Sequence, residues 1–214
     1  MVAQFNKFII LGPPGAGKGT VCKLLSKTTK LVHIASGDLF REAIKNQSAV
    51  GRKIAAIISH GGYVDDTTTN QLVYEYITTN PLPNGFILDG YPRTENQLDF
   101  LNSKLTIDMV FELVVSDLNK LITRIDNRVI CNNCNSVYNL LFQKPLVENS
   151  CDQCSAKLVK RSDDNKAVVK ARMELYQQTI QPIHTYFFNK QLLVQIDCFL
   201  PLEEQLKTIK QFIR

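Results

Sequence analysis

The chain has 214 residues, 44% of them hydrophobic and 21% charged, with 25 basic against 20 acidic side chains and a formal net charge of +5. That balance excludes disordered, collagenous and disulfide-dense classes, and at about 150 residues per domain the length implies one large domain with an insertion. No apolar run approaches the roughly 20 residues that span a bilayer. The first residues lead into an apolar run without a secretion-signal pattern, so the chain reads as cytoplasmic, with no membrane partner.

Phe8–Leu11 reads as a buried strand, followed by a Gly/Pro turn and a helix from Gly17 to Thr29. Leu31–Ala35 reads as a second strand, and a helix follows in which Ser36 is the expected cap and Asp38 suits the positive end of the dipole. Helices are expected over Gly51–Ser59 and Asp65–Thr79, then a strand at Phe86–Leu88, a helix at Thr94–Asn102, a strand at Met109–Val115 and a helix at Asp117–Asp126. From Arg128 to Arg161 the periodicity fails; four Cys, Pro145 and several Asn mark a small cross-linked insertion. One long helix is expected from Asp163 to Lys190, kinked near Pro182, then a strand at Leu193–Ile196 and a helix at Leu202–Ile213. Continuous apolar strands separated by helices indicate an α/β fold whose parallel sheet is covered on both faces.

Gly12 to Thr20, GPPGAGKGT, holds G-x-x-x-x-G-K between an apolar strand and a helix, with Gly19 where Ser or Thr is usual. Its glycines let backbone N–H groups surround an anion, and Lys18 adds a full charge at the β/γ-phosphates. Arg is scarce beside Lys, 8 against 17, yet Arg41, Arg93, Arg124, Arg128, Arg161 and Arg172 stand beside motif residues. Planar forks there suit phosphate oxygens. The scattered Lys form no basic stripe, so no nucleic-acid partner is expected.

Cys131 and Cys134, then sixteen residues, then Cys151 and Cys154 form two C-x₂-C knuckles, the spacing of a closed tetrahedral zinc site; two disulfides are the alternative. Cys22 and Cys198 read as plain buried thiols, His33, His60 and His184 as surface or core side chains, and Tyr186, Phe187 and Phe188 as core.

Taken in order, GPPGAGKGT (12–20), ASGDLFR (35–41), GGYVDD (61–66), GFILDGYPRTENQ (85–97), Arg124 and Arg128, the four cysteines, RSDDN (161–165) and Arg172 resemble the adenylate kinases of the nucleoside monophosphate kinase family, in the long-lid form with a four-cysteine zinc-binding lid. The resemblance implies a P-loop five-stranded parallel sheet with helices on both faces, a core of residues 1–34, 65–127 and 162–214, an AMP-binding helical segment at 35–64 and a zinc-ribbon-like lid at 128–161. It implies Mg²⁺-dependent transfer between ATP and AMP giving two ADP, without a covalent enzyme intermediate, in a monomer with a structural Zn²⁺. Gly15, Ala16, Gly17, Lys18, Gly19 and Thr20 would cradle ATP, with Arg124, Arg128, Val137, Tyr138 and Leu200 on the donor side. Ser36, Arg41, Gly62, Tyr63, Val64, Gly90, Tyr91, Pro92, Arg93 and Gln97 would hold AMP, Gln97 reading the adenine edge. Arg161 and Arg172 would straddle both phosphate chains, oriented by Asp163 and Asp164. Lys18, Arg93, Arg128, Arg161, Arg172 and Asp89 are the implied catalytic set, Asp89 acting through Mg²⁺-bound water. Cys198 and Leu200 depart from the family pattern beside the donor base, which leaves a GTP-preferring kinase as the alternative.

Overall fold

In the computed structural model of the chain, residues 6–47, 49–60, 62–161, 164 and 166–213 are described. Gly61, Ser162, Asp163 and Asn165, named in the motifs above, lie outside them. The elements run β1 (Asn6–Leu11), α1 (Lys18–Thr29), β2 (Val32–Ala35), α2 (Ser36–Lys45), α3 (Ala49–Ser59), α4 (Asp66–Thr79), β3 (Gly85–Asp89) and α5 (Glu95–Lys104). They continue β4 (Met109–Val114), α6 (Leu118–Asp126), β5 (Arg128–Cys131), β6 (Val137–Asn139), β7 (Leu158–Val159), α7 (Lys166–Asn189), β8 (Leu193–Asp197) and α8 (Leu202–Lys210).

The apolar runs form one parallel sheet in the order β2-β3-β1-β4-β8. Alternate residues of β1 divide between its two faces. Phe8 and Ile10 pack with Cys22 and Leu25 of α1, whereas Ile9 and Leu11 pack with Leu98 and Leu101 of α5 and Ile183 and Phe187 of α7. Burial on both faces is why these strands read as continuous apolar runs rather than alternating ones. All five strands end on the same side, so the loops after β1 and β3 open together at the carboxyl edge, where open α/β sheets hold their ligands.

Three expectations are corrected here. Ser36 is the first residue of α2 and not its cap; Ala35 stands at the cap with no side-chain bond, and the Ser36 hydroxyl instead donates to the Gly90 carbonyl at 2.8 Å. Phe187 is buried but Phe188 is 64% exposed, its ring stacked on that of His184. The terminal helix stops at Lys210, leaving Phe212 and Ile213 in a turn that still packs on the Phe111 side of the core. Pro182 lies inside α7.

The insertion is a separate three-stranded antiparallel sheet, β6-β5-β7. Its buried residues are Val129, Cys131, Tyr138, Cys151 and Leu158.

Candidate active site

Side-chain oxygens of Asp65, Thr94 and Asp117 cap α4, α5 and α6. The helix behind the glycine loop, α1, has no side-chain cap and no acidic residue in its first turn. Its positive end therefore faces the cleft with no cap or acidic residue of its own helix to neutralise it, and the Asp89 carboxylate stands beside Gly19 in its first turn. Gly15 and Gly17 turn the loop with φ of +85° and +95°, and a Cβ on Gly15 would stand 2.5 Å from Ile125 of α6. Only glycine permits both the turn and that approach.

Lys18 Nζ donates to the carbonyls of Gly12 at 2.7 Å and Pro13 at 3.0 Å, which fixes the ammonium inside the loop. Burial draws its pKa down to about 8, helped by Arg93, Arg172 and Arg128 and opposed by Asp89. Burial works to raise the Asp89 carboxyl, but the hydrogen bond from His33 and the charges of Lys18 and Arg93 together hold it below the ordinary carboxylate range. An ionised, partly cleft-facing carboxylate is the right donor for a hard cation such as Mg²⁺.

Lys18, Asp89, Arg93, Arg128, Arg161 and Arg172 line one cleft, as do Gly15, Ala16, Gly17, Gly19, Thr20, Arg124, Val137, Tyr138, Leu200 and Arg41. Arg128 lies in a two-pronged pair with Asp164, its Nε donating to Oδ2 at 2.8 Å. Arg124 donates to the Cys198 carbonyl at 3.1 Å and its guanidinium lies 5.5 Å from the Phe199 ring centroid, so the loop after β8 is stacked and bonded by one side chain. An adjoining pocket is lined by Tyr63, Gly90, Pro92, Arg93 and Arg172. Arg93 and Arg172 thus border both spaces.

Ser36, Val64, Tyr91 and Gln97 are buried and line neither space, and Gly62 is exposed outside both linings. The Gln97 amide is held at both ends: its oxygen accepts from the Arg93 N–H and its nitrogen donates to Asp66, both at 2.8 Å. Tyr91 donates to Asn70 at 2.7 Å. In this arrangement these groups position the Arg93 segment.

His33 is the functional neighbour that a bland reading of the sequence misses. Its Nε2 lies 3.1 Å from Asp89 Oδ2, and both residues line the cleft. The one available signal is positional: His33 on β2 pairs with Ile87 on β3, and Asp89 is two residues further on the same face. From α1, Lys23 reaches the carbonyl of Asn135 beside the first cysteine knuckle, tying the insertion to the core.

The four insertion cysteines are free of disulfides, and their sulfur atoms all lie within 4.8 Å of one another. Cys131–Cys154 and Cys134–Cys151 are each 3.4 Å apart, close to the roughly 3.8 Å edge of a tetrahedron with 2.3 Å metal–sulfur bonds and far from a disulfide. A donor set of four thiolates at this spacing fits Zn²⁺. Tyr138 joins the knuckle to the cleft, its hydroxyl 3.5 Å from Cys151 Sγ and accepting from the Asp152 N–H at 2.8 Å.

The adenylate kinase family model matches residues 10–192. The chain belongs to the adenylate kinase family of enzymes. It is 98% identical to the adenylate kinase of Mycoplasma genitalium over 214 residues, all of both chains. It is 46% identical to that of Mycoplasma pneumoniae over 97% of this chain and 98% of the relative, and 41% identical to that of Treponema denticola over 94% and 96%. The family match ends before β8, α8 and the connection between them that holds Cys198 and Leu200, but the three relatives extend over most or all of the chain.

Proposed function

We propose that the chain transfers the terminal phosphoryl group of ATP to AMP, giving two molecules of ADP, in both directions. The supporting observation is the convergence of Lys18, Arg93, Arg128, Arg161 and Arg172 on one cleft at the uncapped end of α1. An AMP phosphate oxygen attacks the γ-phosphorus in line, its new P–O bond forming as the bond to the ADP leaving oxygen breaks. The nucleophile belongs to the substrate, so no side chain need be acylated or phosphorylated, and catalysis consists of alignment and charge neutralisation.

Within that reading the loop from Gly15 to Thr20 holds the donor phosphates, and Arg124, Val137, Tyr138 and Leu200 frame the donor base and ribose. Arg93 and Arg172, bordering both pockets, bridge donor and acceptor phosphates. The AMP side takes Ser36, Arg41, the backbone of Gly62–Val64, Gly90–Arg93 and Gln97; to read an adenine edge Gln97 exchanges its bond to Asp66. Asp89 would hold Mg²⁺ through water, and the ion supplies positive charge to the donor phosphates. Cys131, Cys134, Cys151 and Cys154 would hold a structural Zn²⁺ with no open position. The lid excludes water that would otherwise divert the phosphoryl group to hydrolysis. The same reading has the chain act as a cytoplasmic monomer, without nucleic acid or membrane.

The test is a coupled assay with Mg²⁺, offering ATP or GTP as donor and AMP, GMP, UMP or CMP as acceptor. ADP formed from ATP and AMP at rates well above every other pair is expected. Equal turnover with UMP or CMP, or preference for GTP, overturns the assignment.

A further inference from the structure

The geometry points to a second metal site, directly beneath the phosphate-binding loop, formed by Cys22 Sγ, His33 Nε2 and an Asp89 carboxylate oxygen and suited to a soft or borderline divalent cation such as Zn²⁺ or Cd²⁺. The three donor atoms lie within 4.8 Å of one another, and His33 Nε2 and Asp89 Oδ2 are 3.1 Å apart. Metal bonds of about 2.0–2.3 Å to N, O and S place ligand atoms about 3.3–3.8 Å apart in a tetrahedron, so small side-chain adjustments close the set.

The fold holds these donors in place. His33 and Asp89 sit on neighbouring parallel strands, two positions out of step and on one face, the face that packs against Cys22 of α1. Cys22 is wholly buried, and phosphoryl transfer has no use for it. His33 and Asp89 line the cleft, which supplies an entry path and leaves a fourth position open to water.

The donor chemistry separates this site from the other two. Mg²⁺ takes oxygen ligands and avoids thiolate, whereas a thiolate, an imidazole and a carboxylate together suit zinc-like ions. The lid set consists of four sulfurs, with no open position. In forming the site, the Cys22 S–H gives its proton to solvent as the sulfur–metal bond forms, and nothing is oxidised or reduced. The thiolate and carboxylate then balance the two positive charges of the ion. Resting on the role given to Asp89 above, occupancy withdraws that carboxylate from Mg²⁺ and inhibits transfer in both directions.

The experiment is equilibrium dialysis of Zn²⁺ against the full chain with its lid already loaded, comparing wild type with Cys22→Ala. Two bound zinc ions are expected in wild type; in the variant the first is unchanged and the second weakens at least ~10-fold. One ion in both proteins, or an equally tight second ion in both, overturns the site. If Cys22→Ala does not fold, His33→Gln removes another donor without opening a cavity in α1, and the same weakening is required of it. Mg²⁺-supported activity measured across the same zinc range separates the two claims. Inhibition of wild type that tracks the second ion and is lost in Cys22→Ala supports both. Occupancy without inhibition leaves the metal site standing and overturns the role of Asp89.

Discussion

The sheet and the cysteine insertion hold themselves together by different physics. Among the described residues the parallel sheet buries thirteen core side chains on one face and thirteen on the other. The insertion buries five, two of them cysteines, while Leu141, Phe142, Leu146 and Val147 stay exposed. Units of about 40 residues or fewer do not bury enough apolar surface to fold on that term alone and are completed by metals or disulfides. The sheet can therefore act as a rigid platform for charges, whereas the insertion, on the proposed reading, depends on a metal held by its four cysteines for a shape of its own. Among the described residues its ties to the core are polar and include the Arg128–Asp164 pair, Lys23 to the Asn135 carbonyl, Asn139 to the Arg124 carbonyl at 2.9 Å, and the Leu140 N–H to the Asn127 carbonyl at 2.9 Å.

The largest effect expected from this contrast lies in the platform. On the proposed reading, Lys18→Ala or Arg93→Ala removes a preorganised cation from the transferring phosphoryl group and should lower kcat by about 10²–10³-fold, or ~3–4 kcal/mol of barrier. Lys157→Ala, on the exposed lid surface, should leave kcat within about twofold of wild type, as surface charges do little. Steady-state kinetics on the three folded proteins decides this; equal losses would remove the distinction between platform charge and lid surface.

On the proposed reading, a zinc-selective chelator in excess Mg²⁺ tests the four-cysteine insertion. Stripping the four-cysteine metal should lower the thermal midpoint by about 10 °C, given ~2–4 °C per kcal/mol for a chain of this size, while turnover measured well below the transition largely survives. Calorimetry with and without chelator, alongside activity at low temperature, checks both halves. Loss of turnover with no change in melting would give the metal a catalytic task and erase the contrast.

What is legible in the sequence follows the same division. The five strands, the glycine loop and the two cysteine knuckles can be read because burial on both faces, a turn that tolerates only glycine, and paired thiolates each leave a local pattern. The lid strands cannot, because β7 is two residues long and β6 three, too short for any period to register. Ser36 misleads because its hydroxyl answers to Gly90, fifty-four residues away, rather than to its own helix. His33 is hidden for the same reason: the pattern V-H-I-A is an unremarked strand until β3 brings Asp89 beside it. Gln97 shows its position but not its bond to Asp66, which requires α4 to stand against α5.

His33 gives the next effect in size. The Asp89 carboxyl sits lower in the folded chain than in the unfolded one, so its ionised form stabilises the fold at neutral pH. That contribution is lost only as pH falls through the depressed folded value. Replacing His33 with Asn weakens the bond that counters burial, so on the proposed role of Asp89 the acid limb of kcat should move to higher pH, with little change at pH 8. A pH–rate profile unmoved on the acid side would show that Lys18 and Arg93 set the carboxylate without help.

The smallest effect concerns the loop holding Cys198 and Leu200, which on the proposed reading borders the donor base. Gln205 of α8 is buried, and its amide nitrogen donates to the carbonyls of Leu200 at 2.8 Å and Cys198 at 3.3 Å. Its Oε1 is buried without a partner among the described residues. Gln205→Leu keeps the volume, removes both donations and also removes the unsatisfied acceptor. The lost bonds, each worth about 0.5–1.5 kcal/mol net, are offset in stability by the relieved acceptor, so the melting temperature should hold. The loop, however, is no longer pinned at its two carbonyls. KM for ATP should therefore rise about two- to tenfold while KM for AMP is unchanged, because only the donor side borders residues 198–200. A parallel rise in both constants would mean that α8 supports the whole cleft rather than one rim of it.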